Sequence, residues 1–351
     1  MLRKIVIFAL FFMFLAQFAL ADDLDLKISQ MIIVGFSGNS PNSFGFKRIL
    51  KKVKNGEISG VILFDRNIKS YENLSKMISL LKENSKIPLF IAIDNEGGII
   101  QRYRFKQYST AKKTAQNGLE FAKNQYSEMA KFDSTLGINL NFAPVVDVEI
   151  NKNSIVAKKE RSFSEDKDVV IEYSKIFINE QDKYNIVTSL KHFPGHGSPM
   201  GDTHLGFVDI TNTFDEVELS PYYELKNIAP SVMVSHLFNS NFDDKYPASL
   251  SKKTVDELLR KKIGFDKVVF SDDFDMKAIR DNYSLEDIIT LSINSGVDIL
   301  IFSNNLTYKD FNISSKIHKI VKKQIKNGKI KPETIDESYK RIMALKNSYL
   351  K

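Results

Sequence analysis

A chain of 351 residues, 43% hydrophobic and 26% charged, has the composition of a soluble globular protein and the length for one large α/β barrel or two ordinary domains. Its net charge of +7 is modest, and no dense Lys/Arg run with interleaved aromatics marks a nucleic-acid site, although a basic surface would suit an anionic polymer. Cysteine is absent, which excludes disulfides, thiolate metal sites, a cysteine nucleophile and a lipid-modified N-terminal cysteine.

Taken in order, the chain begins with a stretch that reads as a signal peptide. Arg3 and Lys4 precede an apolar run from Ile5 to Phe18, and Ala19-Leu20-Ala21 fits a small-x-small cleavage site ahead of Asp22 and Asp23. The run falls short of the ~20 apolar residues a spanning helix needs. Residues 1–21 are therefore expected to be removed, and residues 22–351 to act as an exported protein, periplasmic or secreted. An uncleaved anchor is the alternative. No later segment is long and apolar enough to span a membrane.

From about residue 28 short apolar runs alternate with longer amphipathic stretches. The runs are 31–36, 60–64, 89–93, 139–142, 186–190, 231–235, 267–270 and 298–302. They are rich in Val, Ile, Leu and Phe and apolar on both parities, as parallel strands covered on both faces are. Helical spacing is predicted over 69–84, 110–136, 215–228, 252–263, 284–295, 309–326 and 332–348. Ser164-Glu165-Asp166 opens a further helix with Val169, Val170, Tyr173, Ile176 and Phe177 on one face. Gly137 and Gly296 stand where C-terminal caps belong. Eight strands each leading to a helix predict a single-domain (β/α)8 barrel of the TIM type rather than an open doubly wound sheet. No linker or composition shift marks a second domain.

Polar groups gather just past the strands, where barrel enzymes carry their sites. The third strand runs into Asp94-Asn95-Glu96-Gly97-Gly98, and the fourth leads to Asp147. The fifth delivers Lys191 and His192, the sixth His236, the seventh Ser271-Asp272-Asp273 and the eighth Ser303-Asn304-Asn305. After the fifth strand, the segment Lys191 to His204 holds three of the chain's five histidines, and its glycines and prolines rule out a continuous helix or strand. Burying so many ionisable groups on one rim is costly unless they are paired or used.

Two chemistries fit. Metal-assisted hydrolysis would draw on His192, His196 and His204, but Pro194 and Gly195 prevent the helix that would give the His192–His196 spacing its meaning, and Lys191 would repel a cation; no metal or cofactor is expected. Acyl or glycosyl transfer needs a nucleophile and a separate proton donor. Asp272 at the end of a buried strand has a rigid mount for an in-line attack. Asp202 and His204 can meet in a loop, the carboxylate orienting the ring. A serine triad fails for want of a G-x-S-x-G elbow, and neither a P-loop nor a dinucleotide fingerprint is present.

Lys191-His192-Phe193-Pro194-Gly195-His196-Gly197 followed by Asp202-Thr203-His204 resembles the signature of family 3 glycoside hydrolases, in the β-N-acetylglucosaminidase branch. Ordered matches continue along nearly the whole chain after residue 22. They include Gln30-Met31 to Gly35-Phe36, Gly60 to Phe64 with Arg66-Asn67, Asp94 to Gly98 with Gln101-Arg102 and Leu136 to Asp147. Arg161-Ser162-Phe163, Ser271-Asp272-Asp273 and Gly296-Val297-Asp298 with Asn304-Asn305 complete them. The resemblance implies a retaining exo-hydrolase that removes terminal β-linked N-acetylglucosamine from peptidoglycan fragments or chitin-like oligosaccharides. By that analogy Asp272 forms a glycosyl-enzyme, His204 is the acid and base assisted by Asp202, and Asp94, Arg102, Arg161, Lys191 and His192 hold the sugar. His196, His236 and Asp147 would line the pocket or brace the loop. Asp273 and Asp275 are read as solvated or supporting acids. A histidine in place of the usual second carboxylate is sensible, because imidazole titrates near pH ~6.5 and can both give and take a proton.

Ile99 stands where the branch commonly has arginine, which points to a different nearby subsite. The alternatives are a phosphorylase or β-glucosidase-like hydrolase of the same family, attack by the substrate's own acetamido oxygen, and a non-catalytic exported sugar-binding protein. The chain has no tryptophan, so any aromatic sugar platform must be Tyr or Phe.

Overall fold

The computed structural model describes residues 23–199 and 206–350. Its strands are β1 (Ile32–Gly35), β2 (Gly60–Leu63), β3 (Phe90–Ile93), β4 (Leu140–Asn141), β5 (Val187–Thr188 and Leu190–Phe193), β6 (Ser231–Val234), β7 (Val268–Asp273) and β8 (Ile299–Phe302). β1 lies between β2 and β8, and all pairings run parallel. The order continues through β3 to β4 on one side and through β7 to β6 on the other. β5 joins the two ends: Val187–Thr188 pairs with β4, and Leu190–Phe193 pairs with β6. The nine strand segments of the sheet thus occupy eight positions in a closed barrel, with the fifth strand interrupted at Ser189. This is the predicted architecture, in the predicted order.

The strands form because continuous Val/Ile/Leu/Phe runs can be covered on both faces only inside such a ring. β1, β2, β3, β6 and β8 are buried at every position. Phe90, Phe142 and Phe270 meet across the interior, with ring centroids 6.3 Å apart for Phe90–Phe270 and 5.3 Å for Phe142–Phe270. On the N-terminal side of the barrel, Lys346 of the last helix, Pro332–Tyr349, is buried, with its amine 4.7 Å from the Phe90 ring centroid. The amine donates to Gln30 Oε1 at 2.7 Å and to the Ser59 carbonyl at 3.1 Å. Ser59 immediately precedes β2 and Gln30 lies two residues before β1, so this lysine closes the bottom of the barrel.

Most helices sit where the spacing placed them. Asp166 caps Lys167–Asp182 by accepting the Asp168 N–H, and Gly137 and Gly296 end their helices with φ of 90° and 103°. The predicted 110–136 helix is two, Ala111–Gln116 and Leu119–Leu136, parted at Gly118 with φ 90°. The sequence reading omits Phe44–Lys54, which buries Phe46, Ile49 and Val53, and a helical stretch over 23–30.

Because Phe270 contacts both Phe90 and Phe142, removing it empties the middle of the barrel. Phe270→Ala is expected to lower unfolding stability by about 3–5 kcal/mol, read from chemical denaturation midpoints. A loss under about 1 kcal/mol would mean that the ring is not a core element.

Candidate active site

The C-terminal ends of the strands surround a cavity of about 250 Å³. Ile62, Phe142, Met233 and Ile301 are among its apolar lining, while Asp94, Glu96, Arg102, Arg161, Lys191, His192, His196, Asp272 and Asp273 line it with polar groups. Phe64 is its aromatic residue beside Phe142, and the Arg66 and Arg102 guanidinium carbons each lie 5.2 Å from the Phe64 ring centroid. Lys191 and His192 do not leave the strand, as the sequence suggests. They lie within β5, which runs on to Phe193, and the peptide between them is cis, as is Phe193–Pro194.

Asp94 follows β3 directly, and the chain then turns through a hairpin, Asn95–Gly97 with Ile100–Gln101. Alternation along this extension separates its side chains. Asp94 and Glu96 face the cavity, whereas Asn95 faces away and donates to Tyr103 Oη at 2.6 Å and Asp133 Oδ2 at 3.0 Å. Asp133, on the helix behind, is pushed up to about 7 by burial, with its bonds to Asn95 and Tyr103 opposing. Ile99 is at the hairpin tip, 55% exposed, and Ile100 reaches the cavity instead.

Three cations neutralise Asp94 and Glu96. Lys191 Nζ is 3.0 Å from Asp94 and 2.7 Å from Glu96. Arg102 donates to Asp94 at 2.8 Å, and Arg161 grips Glu96 with Nε and Nη2 at 2.8 Å each. Burial alone would raise both carboxyls, but Lys191 with Arg102 holds Asp94 well below the usual carboxylate range. Arg161 with Lys191 lowers Glu96 to about 2. Both carboxylates are therefore ionised throughout the physiological range. Glu96 thus joins the site beside Asp94, although its strand-end position alone assigns it no role.

His192 is oriented from both sides. Its Nδ1 is 2.8 Å from Asp147 Oδ2, and Arg161 Nη2 approaches Nε2 at 3.3 Å. A guanidinium can only donate, so Nε2 accepts and Nδ1 carries the proton to Asp147. The other Asp147 oxygen accepts the backbone N–H groups of His192 and His196, both at 2.9 Å. Burial would raise Asp147, but the adjoining His192 ring keeps it below its ordinary value. His196 lines the cavity and is pushed down to about 4 by burial and by neighbouring His192.

Asp147 and His236 are not among the described residues that line the cavity. Asp147 is wholly buried behind His192. His236 pairs with Ser249 Oγ at 2.7 Å through Nδ1 and donates from Nε2 to the Asp273 carbonyl at 3.0 Å, bracing the end of β7. Asp272, the candidate nucleophile, accepts the Asp273 N–H at 2.7 Å with Oδ1 and opens into the cavity. Of the two readings given for Asp273 and Asp275, solvated or supporting acids, the structure shows the supporting one. Asp273 accepts the Ser303 and Asp275 N–H groups at 2.9 and 3.0 Å, and Asp275 accepts that of Asn304 at 2.8 Å. Burial raises both above the usual carboxylate range, with the Asp275 charge also raising Asp273. They tie β7 to the loop after β8. Asp202 and His204 lie outside the described residues.

A second unassigned carboxyl, Glu218, is wholly buried beneath the segment leading from β5. Its Oε2 accepts the Gly197 N–H at 2.7 Å. A Cβ on Gly195 would stand 2.6 Å from Glu218, and one on Gly197 would stand 1.6 Å from the Val148 carbonyl. Both glycines are needed so that the backbone can lie this close. Burial pushes Glu218 up to about 8 against the Gly197 bond.

A closed parallel barrel with a charge-lined cavity on its C-terminal rim is the architecture of an enzyme rather than of a scaffold. The family model described as "Glycosyl hydrolase family 3 N terminal domain" matches residues 23–345, and the chain belongs to that family: it is a glycoside hydrolase. It is 32% identical over 261 residues to a beta-hexosaminidase of Tolumonas auensis, a match covering 71% of this chain and 76% of the relative. Its fold superimposes with a TM-score of 0.85 on a family 3 beta-N-acetylglucosaminidase from Paenibacillus sp. strain FPU-7, at 25% identity and over 93% of this chain. The chain spans 62% of that enzyme's length. M. tuberculosis LpqI matches with a TM-score of 0.81 at 27% identity, over 92% of this chain and 93% of LpqI. The resemblance read from the motifs is thereby borne out at the level of family and fold.

Glu218 gives a signed pH dependence. Unfolded, it releases its proton near 4.5, whereas folded it does so near 8, so native stability falls as pH rises through that window. Glu218→Gln removes this effect. Its melting temperature relative to wild type is expected to be more favourable near pH 8 than near pH 5, and an identical difference at both would contradict a protonated buried Glu218.

Proposed function

We propose that this enzyme is a retaining exo-β-N-acetylglucosaminidase that removes terminal β-linked N-acetylglucosamine from peptidoglycan fragments or chitin-like oligosaccharides. The observation that supports this reading most is the opening of Asp94, Arg102, Arg161, Lys191, His192 and Asp272 into one cavity. Its ~250 Å³ lies below the range of about 300–1,000 Å³ typical of ligand pockets and suits one sugar ring. Ionised Asp94 can accept hydrogen bonds from sugar hydroxyls, and the fixed Arg and Lys groups can donate to hydroxyl and acetamido oxygens. Holding the ring this way positions C1 at Asp272.

In the first step an Asp272 oxygen bonds to C1 while the C1–O bond to the leaving group breaks. The departing oxygen takes a proton from His204, which Asp202 orients. In the second, His204 removes a proton from water, the water oxygen bonds to C1, and the ester to Asp272 breaks. The roles of His204 and Asp202 rest on the motif resemblance. Beta-hexosaminidase names among the relatives, including that of Haemophilus influenzae at 32% identity, favour this sugar over glucose. The apolar leader with its Ala19-Leu20-Ala21 site supports action outside the cytoplasm.

A 2-fluoro glycosyl inactivator is expected to label Asp272, located by peptide mass spectrometry, and Asp272→Ala is expected to abolish turnover. A label on another residue, or an Asp272→Ala enzyme with full activity, would sink the assignment. His204→Ala should slow cleavage of substrates with poor leaving groups by about 10²–10⁴. Formation of the glycosyl-enzyme from an aryl substrate with a good leaving group should be largely spared, because little protonation is needed there. Equal losses on both would remove His204 from the role of acid.

A further inference from the structure

Among the described helices of more than two turns, only Phe44–Lys54 and Ile313–Lys326 carry no acidic residue. They are neighbours on the flank of the barrel, following the paired strands β1 and β8, and Lys52 Nζ of one donates to Ser314 Oγ of the other at 2.7 Å. Burial of Phe46, Ile49 and Val53 on the first and of Ile317 and Val321 on the second turns their lysines outward. Lys47, Lys51, Lys54, Lys319 and Lys326 stand exposed, and among the described residues none of them has a carboxylate within ion-pair distance. With 11 and 14 residues, the helices give this basic face a length of about 16–21 Å.

Two further features share the face. Toward the rim, Phe44 and Phe311 are 75% and 40% exposed, and the Arg48 guanidinium carbon lies 5.7 and 5.1 Å from their ring centroids. Toward the opposite end, Asp25 in the first described helical stretch is 2.6 Å from Lys322 Nζ and 3.0 Å from His318 Nδ1, both on Ile313–Lys326. The chain that carries the apolar run Ile5–Phe18 therefore joins the fold beside the same lysines.

We infer that this flank is a docking surface for an anionic lipid bilayer. Unpaired lysines on one face attract an anionic leaflet, each adding to binding within a Debye length of the surface. Phenylalanines exposed beside cations gain from burial between headgroups and acyl chains, which a soluble polyanion does not offer. An apolar segment and a basic patch are together the two signals that stable membrane attachment requires. The cavity opens on the C-terminal rim rather than on the flank, so the docked enzyme keeps it accessible. The inference does not depend on which sugar is cleaved.

The test is co-sedimentation of the full chain with vesicles of phosphatidylcholine alone, or of equal parts phosphatidylcholine and phosphatidylglycerol. The readout is the ratio of the two apparent affinities. Wild type is expected to favour anionic vesicles about tenfold or more at low salt, and added salt should shrink the ratio. The combined variant Lys47→Gln, Lys51→Gln, Lys319→Gln and Lys326→Gln should lose most of that preference at an unchanged melting temperature, whereas arginine at the same positions should keep it. All forms share the same apolar run, so a difference between them belongs to the face. Phe44→Ser with Phe311→Ser should weaken binding to anionic vesicles severalfold while leaving binding to dextran sulfate unchanged. Equal binding of wild type to both vesicles, a glutamine variant with the wild-type ratio, or a phenylalanine variant unchanged on vesicles would overturn the inference. Binding to dextran sulfate with none to anionic vesicles would make a soluble polyanion the partner and overturn it as well.

Discussion

The buried ammonium of Lys191 is the constraint on which the rest of the site depends. An isolated charge in that position would cost several kcal/mol after relaxation, so two carboxylates must come to it. Asp94 and Glu96 do so at 3.0 and 2.7 Å. Those carboxylates exceed what one lysine can neutralise, which draws in Arg102 and Arg161. The result ties the end of β3 and its hairpin to the middle of β5, and both to the loop that carries Arg161. Removing Asp94 or Glu96 would take the close carboxylate partner from a largely buried guanidinium, so the contacts are not independent of one another. It also means that the groups available to a sugar are already fixed before it arrives, as electrostatic preorganisation requires.

Around that network, carboxyl groups of the same kind are set to different states by their neighbours. Asp147 meets a histidine ring and two backbone N–H groups and stays ionised. Glu218 meets the Gly197 N–H with no cation beside it, and burial raises it. The first orients His192 and the second supports the backbone at Gly197. Neither touches the cavity, yet each fixes a part of β5 or of the chain leaving it. The Asp273–Asp275 pair does the same for the junction of β7 and β8. Asp272 is therefore mounted on a strand whose end is braced by His236 on one side and by this pair on the other.

The barrel was legible because parallel strands buried on both faces leave an unmistakable run of Val, Ile, Leu and Phe, and every such run became a strand. Helix Phe44–Lys54 was harder to see, because its buried positions Phe46, Ile49 and Val53 are separated by lysines and its start follows a glycine- and serine-rich turn. Pro194 and Gly195 suggested that the strand ended before Lys191. Pairing with β6 carries it on to Phe193, and pairing is a tertiary fact that no local pattern contains. Asp94, Arg102, Arg161, Lys191 and His192 converge as strand-end position and motif resemblance implied. Glu96 could have been found from the alternation Asp94-x-Glu96 along an extended segment. Glu218 could not, because its bond to Gly197 joins residues 21 apart through the packing of a loop against the short helical turn Glu216–Leu219.

The most direct test of the whole account is the configuration of the sugar first released. With an aryl β-N-acetylglucosaminide turned over inside an NMR spectrometer, the β-anomer of N-acetylglucosamine should appear first and only later equilibrate with the α-anomer. Initial release of the α-anomer would contradict a covalent intermediate on Asp272, and no release would contradict the activity itself.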